Sequence, residues 1–158
     1  MRQFKSTVLY CLVFISGLSF LPGCKDDYTE RINDQKELDE KAIVEYIADN
    51  NIQNAQRQPS GVYYVPLTAG NGTQIKRGDT VKAHYIGWYI GGQKFESTFD
   101  TGQPKSFVVG ASGIIPGLNE GLMLMQNGEK AKLIIPSMMG YGQYTSILVY
   151  DVTILEVK

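Results

Sequence analysis

Few side chains in this sequence have the types and spacing that covalent catalysis requires. Ser112 lies in a glycine-rich stretch, but a serine nucleophile needs a base, and His84 is the single histidine. On the polar face of a predicted strand, His84 is better read as a half-exposed surface residue. The stretch around Ser112 also lacks the lysine of phosphate-binding loops. Glu96, Asp100 and Glu120 could form an acidic pair, although nothing in their spacing requires one. What remains is a set of aromatic and aliphatic side chains next to turns.

One thiol has a distinct chemical context. Cys24 follows a basic start, an uncharged run over residues 6–20 and the tripeptide Leu21-Pro22-Gly23. The run is typical of a secretory signal peptide and too short and weakly flanked for a spanning helix. Residues 21–24 resemble a bacterial lipobox, in which the cysteine is acylated and becomes the new N-terminus. We therefore expect residues 1–23 to be removed and Cys24 to anchor the protein to a membrane. The alternative is an ordinary cleaved signal with an incidental cysteine.

Length and charge limit the remaining possibilities. Removing residues 1–23 from the 158 leaves 135, enough for one domain and a tail. Without Arg2 and Lys5, 13 basic residues face 16 acidic ones, so the net charge is −3 and no basic patch indicates nucleic acid. Cys11 lies in the signal, so with Cys24 acylated we expect no disulfide, redox pair, metal or cofactor. The ten tyrosines and six phenylalanines favour a β-rich domain with an aromatic pocket.

Residues 24–59 are expected to form a polar tether that contains one helix. Asp34 with Glu37 three residues later indicates the helix start, and Asn50 is a plausible stop. We expect a spacer helix that docks loosely on a monomeric domain; a helix that binds a partner or forms a dimer is the alternative. The acidic stretch over 25–27 resembles export tags of surface lipoproteins of some Gram-negative bacteria, which indicates the outer membrane, but it also fits a simple solvated tether. The apolar residues predicted to share one helical face are Leu38, Ala42, Ile43, Tyr46 and Ile47.

Residues 60–158 have the alternating pattern of strands, interrupted by one helix. In the helix predicted over 116–125, Leu118, Leu122 and Met125 share the inner face. In the last strand, Val149 and Tyr150 should point to opposite faces of the sheet. The pattern predicts an α+β fold, with an antiparallel sheet of about five strands covered by this helix. The predicted strands span residues 61–66, 80–90, 106–109, 129–135 and 147–157.

Several short strings in this half occur together, in order and with a familiar spacing. They cover residues 77–81 with 84–87, 92–98, 107–110, 114–122, 128–136 with 140–142, and 148–152. Any one of them is weak evidence, but six in register are specific. Together they resemble the FKBP-type peptidyl-prolyl cis–trans isomerases over about residues 60–158. The resemblance implies a sheet wrapped around a short helix, with an apolar pocket between them.

The resemblance also implies a set of site residues, each of which competes with a plain packing role. The main-chain N–H of Ile115 and the hydroxyl of Tyr141 would bind the substrate carbonyl, while Tyr85 and Phe95 hold the proline ring. Proline-containing segments of unfolded exported proteins would be the partners, and no cofactor is implied. The implied catalytic residues are Tyr85, Phe95, Glu96, Ile115 and Tyr141, and the implied substrate-binding residues are Phe107, Ile114, Leu118 and Tyr150.

The sequence departs from the family pattern in three places. Glu96 stands where an aspartate is common, and Leu118 stands where the pocket floor is often tryptophan. Only residues 143–146 separate Gly142 from the last strand, where the family usually has a long loop over the pocket. An open pocket excludes water less well, so we expect weaker catalysis. The alternative is a catalytically weak or inactive binding or chaperone module of a cell-envelope assembly.

Overall fold

The computed structural model describes residues 27–142 and 146–158, and it has the α+β architecture predicted from the sequence. The predicted signal peptide, Cys24 and most of the short loop before the last strand lie outside these residues. In chain order the helices are α1 (Asp27–Asp49) and α2 (Pro116–Leu124), and the strands are β1 (Gln56–Arg57), β2 (Tyr63–Thr68), β3 (Thr80–Tyr89), β4 (Lys94–Ser97), β5 (Lys105–Val108), β6 (Lys130–Ile135) and β7 (Leu148–Val157).

All the strands belong to one antiparallel sheet of seven strands, in the order β1-β2-β6-β7-β3-β4, with β5 also paired to β3. Strand β7 occupies one edge of β3, so β4 and β5 share its other edge, one at each end. About five strands were expected. The two additional ones are β1, whose two residues are too few to show alternation, and the four-residue β4.

The inner face of the sheet packs against α2, as predicted. Leu118, Leu122 and Met125 are buried there against the inward side chains of β3, β6 and β7. The helix lies very close to β6. A Cβ added to Gly121 would be only 2.3 Å from Leu133 Cδ1. A glycine at this position is therefore required by the close approach of helix and strand.

The outer face of the sheet is covered by α1, which is not the loosely docked spacer that the sequence suggested. Ile43 is fully buried against Tyr63, Ile134 and Val149. Burial of such a residue stabilises the folded state by about 2 kcal/mol, so α1 is part of the folded domain. Leu38, which was expected on the buried face, is instead 62% exposed.

The helix also begins earlier than predicted, at Asp27 rather than at Asp34. Nothing in residues 27–33 breaks a helix, so Asp34 lies inside it and does not act as a cap. Among the residues that the structure describes, no helix is both long and apolar enough to span a bilayer.

Polar contacts add to the docking of α1. Glu40 accepts hydrogen bonds from the Tyr63 hydroxyl at 2.6 Å and from Arg57 Nε at 2.9 Å. Burial opposes ionisation of Glu40, but these two hydrogen bonds outweigh it and lower the pKa of the carboxyl. Asp39, one residue earlier, reaches a different part of the domain, the turn that begins at Ser137.

Candidate functional site

A small cavity of about 60 Å³ opens between the inner face of the sheet and the start of α2. It is bounded by β3, β4, β5 and β7 and by the loop that precedes α2. Eight of the nine site residues implied by the sequence line it, together with two that were not expected. The lining residues are Tyr85, Glu96, Lys105, Phe107, Gly113, Ile114, Ile115, Leu118, Tyr141 and Tyr150.

Strand register places the buried rings of the cavity. Tyr85 on β3 and Tyr150 on β7 both face inward, and their ring centroids are 5.8 Å apart. Phe107 on β5 extends the group, with its centroid 5.6 Å from that of Tyr85. The tilted geometry of these pairs is favourable for aromatic rings. The three strands therefore build an aromatic wall from alternate, inward-facing positions.

Phe95 is the implied site residue that does not line the cavity. Its ring stands behind the lining, edge-on to Tyr150 at 5.6 Å and to Tyr141 at 6.4 Å. It fits there because Gly87 on the neighbouring strand has no side chain; a Cβ on Gly87 would be 2.6 Å from Phe95 Cζ. In this structure Phe95 supports the two tyrosines.

The segment before α2 forms the opposite wall. Ile115 has extended backbone angles and is followed by Pro116 in the first turn of the helix, which fits the fixed φ of proline. Asn119 holds this segment in place: its Oδ1 accepts a hydrogen bond from the Gly110 N–H at 2.7 Å, and its Nδ2 donates to the Ile114 carbonyl at 3.3 Å. Sequence reasoning missed Asn119 because its partners are main-chain atoms.

A charged pair closes one side of the cavity mouth. The Tyr85 hydroxyl donates to Glu96 Oε1, and Lys105 Nζ lies 3.2 Å from the same oxygen and 3.3 Å from the Tyr85 hydroxyl. Burial, and then the hydrogen bond to Glu96, raise the pKa of Tyr85. Tyr85 therefore remains a neutral phenol at physiological pH, and Lys105 compensates the carboxylate. Lys105 was missed because its place follows from how β5 pairs with β3.

The two remaining tyrosines of the site differ sharply in exposure. Tyr150 is 2% exposed, and burial raises its pKa further than its hydrogen bond to Tyr141 does. Tyr141 is 59% exposed and follows a short 3₁₀ turn, Ser137–Met139, that continues from β6. The hydroxyl of Tyr141 thus lies at the cavity rim, 3.3 Å from the hydroxyl of Tyr150, which lies inside.

The covalent chemistry considered from the sequence is not favoured by the geometry. His84 Nδ1 is 2.9 Å from Thr98 Oγ1, and its ring stacks on Phe99 at 4.5 Å. Asp100 pairs with Lys94 at 2.7 Å and Glu96 pairs with Lys105 at 3.2 Å, so each carboxylate binds its own lysine. Within residues 27–142 and 146–158, no cluster of three or more histidine, cysteine, aspartate or glutamate side chains could hold a metal ion.

The cavity can therefore act through shape and non-covalent contacts. Its wall is aromatic and aliphatic, its one carboxylate is paired with an ammonium group, and the raised pKa values of Tyr85 and Tyr150 keep these two hydroxyls neutral. Such a lining suits an apolar ring with a hydrogen-bonding group at its edge.

Comparisons with known proteins agree with this geometry. Residues 71–155 match the family model described as FKBP-type peptidyl-prolyl cis-trans isomerase. The chain is 35% identical over 122 residues to the isomerase FkpA of Aeromonas hydrophila, covering 72% of this chain and 45% of that protein. It is 35% identical to an FK506-binding protein of Neisseria meningitidis over 105 residues, which are 61% of this chain and 96% of the relative.

The fold comparison gives the same result. The crystal structure of FkpA from Escherichia coli superposes with a TM-score of 0.68 at 31% identity, covering 83% of this chain and 64% of that one. The chain spans less than half the length of the Aeromonas FkpA that it matches. The family match covers more than half of the chain, in the segment that builds the cavity. The protein therefore belongs to the family of FKBP-type peptidyl-prolyl cis–trans isomerases.

Proposed function

We propose that the protein accelerates cis–trans isomerisation of X–Pro peptide bonds in exported proteins. The observation that carries the proposal is the convergence of Tyr85, Phe107, Tyr150 and Ile115 on one cavity between the sheet and α2. A prolyl ring is the apolar group that such a wall would hold. The charged pair of Glu96 and Lys105 lies at the mouth, beside this wall.

The physical basis is the change in the amide during rotation. An X–Pro bond is nearly balanced between cis and trans, but the barrier is about 18–20 kcal/mol because rotation breaks amide resonance. The twisted amide has less charge separation than the planar one, so contact with an aromatic and aliphatic wall favours it over either planar form more than water does. Neither a nucleophile nor a metal is needed.

Two groups are proposed to orient the substrate. The main-chain N–H of Ile115, held by the Asn119 bridge, would donate to a substrate carbonyl. The Tyr141 hydroxyl would donate to the substrate at the exposed rim. Each group adds a hydrogen bond that fixes the carbonyl while the prolyl ring lies against Tyr85 and Phe107.

A protease-coupled assay tests the proposal. Protein expressed from Lys25 would be mixed with tetrapeptides that differ in the residue before proline, and cis-to-trans conversion would be followed. We expect acceleration above the uncatalysed rate for several of these peptides. Rates equal to the buffer control for every peptide would contradict the proposal.

A second candidate function is binding of unfolded chains without turnover. It is favoured by the small volume of the cavity and by the exposure of Tyr141. In that case Tyr141→Phe and Phe95→Ala should leave suppression of client aggregation intact. If either substitution abolishes suppression while the protein remains folded, the binding-only function is wrong.

We further propose that the protein acts from a lipid anchor at Cys24, on the outer membrane of a Gram-negative cell envelope. The support is the lipobox-like string over 21–24 and the acidic residues that follow. Mass spectrometry of the N-terminus, with Cys24→Ser as the control, tests it. A cleaved N-terminus without acyl chains in the wild type would contradict it.

A further inference from the structure

The turn that carries Tyr141 has no side-chain cap of its own. The 3₁₀ turn Ser137–Met139 is preceded by Pro136, which makes no capping hydrogen bond. The first N–H of such a turn has no partner inside the turn, and a buried donor without a partner is costly. Ser137 is fully buried, so its N–H needs an acceptor from elsewhere.

Helix α1 provides that acceptor from 98 residues away in the sequence. Asp39 Oδ2 accepts hydrogen bonds from the Ser137 N–H at 2.8 Å and from the Ser137 hydroxyl at 2.7 Å. The other carboxylate oxygen, Oδ1, accepts from Gln35 Nε2 at 2.8 Å. Asp39 is 4% exposed, so its oxygens are satisfied by these donors rather than by solvent.

Docking of α1 alone does not explain a buried aspartate at this position. Ile43, one turn later, already buries an apolar side chain in the sheet, and Glu40 already binds Tyr63 and Arg57. An apolar residue at position 39 would dock the helix without the desolvation cost of a carboxylate. What Asp39 adds is a cap for the turn.

The position of Tyr141 depends on this turn. The Ser137 carbonyl accepts a hydrogen bond from the Gly140 N–H at 3.1 Å, and Tyr141 follows directly. The ring of Tyr141 is 59% exposed, and its contacts are the edge of Phe95 and the Tyr150 hydroxyl. These contacts form only where the backbone that Asp39 anchors brings the ring to the rim.

We propose that Asp39 is a positioning residue for the isomerase site, which acts by capping the turn that presents the Tyr141 hydroxyl. The proposal rests on the proposed function, and it makes α1 a support of the active site. A role confined to helix docking would instead affect stability without any coupling to Tyr141.

A double-mutant cycle separates the two roles. The full protein would carry Asp39→Ala, Tyr141→Phe or both, and kcat/KM for a proline tetrapeptide would be measured. We expect Asp39→Ala to lower kcat/KM about tenfold when Tyr141 is present and by less than about twofold in the Tyr141→Phe background. Asp39→Asn, which keeps an acceptor oxygen, should restore most of the loss.

Glu40→Gln is the matched control, since Glu40 docks the same helix through contacts that do not touch the turn. It should leave kcat/KM unchanged. If Asp39→Ala does not fold, Ser137→Ala removes one of the two hydrogen bonds and should lower kcat/KM about threefold, again only when Tyr141 is present.

An activity-independent measurement completes the test. In amide NMR spectra of the full protein, Asp39→Ala should shift the Tyr141 amide signal, and Glu40→Gln should not. Equal losses from Asp39→Ala in the two backgrounds would overturn the inference while leaving the proposed function intact. An inactive wild-type protein would overturn the proposed function, and an unmoved Tyr141 amide signal would overturn the positioning role by itself.

Discussion

The hydroxyl oxygens of Tyr141 and Tyr150 lie 3.3 Å apart, which links a ring that is 59% exposed to one that is 2% exposed. The contact ties the loop after the 3₁₀ turn to the centre of β7. The contact therefore helps to fix the position of the cavity rim relative to the buried core. A substrate that reaches the Tyr141 hydroxyl would thus be held beside the buried aromatic wall.

Replacing the exposed tyrosine should lower activity strongly and stability modestly. Tyr141→Phe removes the hydroxyl that pairs with the buried Tyr150 hydroxyl, so the free energy of unfolding should fall by about 1 kcal/mol. If the hydroxyl binds substrate, kcat/KM should fall about tenfold, the value of one good hydrogen bond. Urea unfolding and the peptide assay measure the two effects. Unchanged kcat/KM would show that this hydroxyl has no part in catalysis.

The bridge from Asn119 should matter for substrate binding. Asn119→Ala removes the acceptor for the Gly110 N–H and the donor to the Ile114 carbonyl. The segment before α2 then loses the two hydrogen bonds that fix its position. We expect a loss of about 1–3 kcal/mol in unfolding free energy and a rise in KM, because Ile115 is less well placed. Asn119→Asp keeps an acceptor for Gly110 and should lose less. A KM equal to that of the wild type would contradict the positioning role of Asn119.

The close contact between α2 and β6 predicts that alanine lowers the unfolding free energy at Gly121 but not at a glycine in open space. Gly121→Ala places a Cβ 2.3 Å from Leu133 Cδ1, and the resulting overpacking should outweigh the gain in helix propensity. We expect a net loss of about 1–2 kcal/mol in unfolding free energy. Gly91→Ala is the control, because a Cβ there meets no atom within 4 Å. Equal unfolding free energies for the two variants would show that the helix is less tightly packed than described.

Much of this fold follows from periodicity. Alternation along β7 predicted that Val149 and Tyr150 point to opposite faces, and they belong to the outer and the inner core cluster, respectively. The spacing of Leu118 and Leu122 gave the buried face of α2. Such patterns are reliable because a residue's face is a local property of a strand or helix.

The long-range polar contacts could not be predicted in this way. Asp39 lies on the face of α1 that meets the domain, but its sequence neighbours give no sign of Ser137 as a partner. Lys105 lies at the cavity mouth because β5 pairs with β3 in one particular register. Burial of a polar side chain depends on a partner distant in sequence, and periodicity carries no information about that partner.

Tyrosine burial predicts how stability depends on pH. Burial, and then a hydrogen bond from its hydroxyl to Glu40, raise the pKa of Tyr63 to about 12, and burial is also the main cause that raises the pKa of Tyr64, Tyr85 and Tyr150. Above about pH 10 the unfolded state releases these protons before the folded state does, so the unfolded state binds fewer protons and stability falls. The contribution is fully present below pH 10.

Urea unfolding between pH 7 and pH 11 checks this prediction, with absorbance at 295 nm to follow ionisation. We expect constant unfolding free energy to about pH 9 and a steady fall above about pH 10. Tyr63→Phe should reduce the slope of the fall. If every tyrosine of the folded protein ionises near pH 10, the burial and hydrogen bonding described here are wrong.

The most direct test of the central claim measures X–Pro isomerisation itself, by exchange NMR on a proline peptide with and without the protein. Phe107→Ala removes a ring from the aromatic wall, and Val108→Ala changes the exposed neighbour on the same strand. We expect the wild type and Val108→Ala to accelerate exchange equally and Phe107→Ala to lose about tenfold or more of that acceleration. No acceleration by the wild type, or equal acceleration by both variants, would contradict a catalytic role for this cavity.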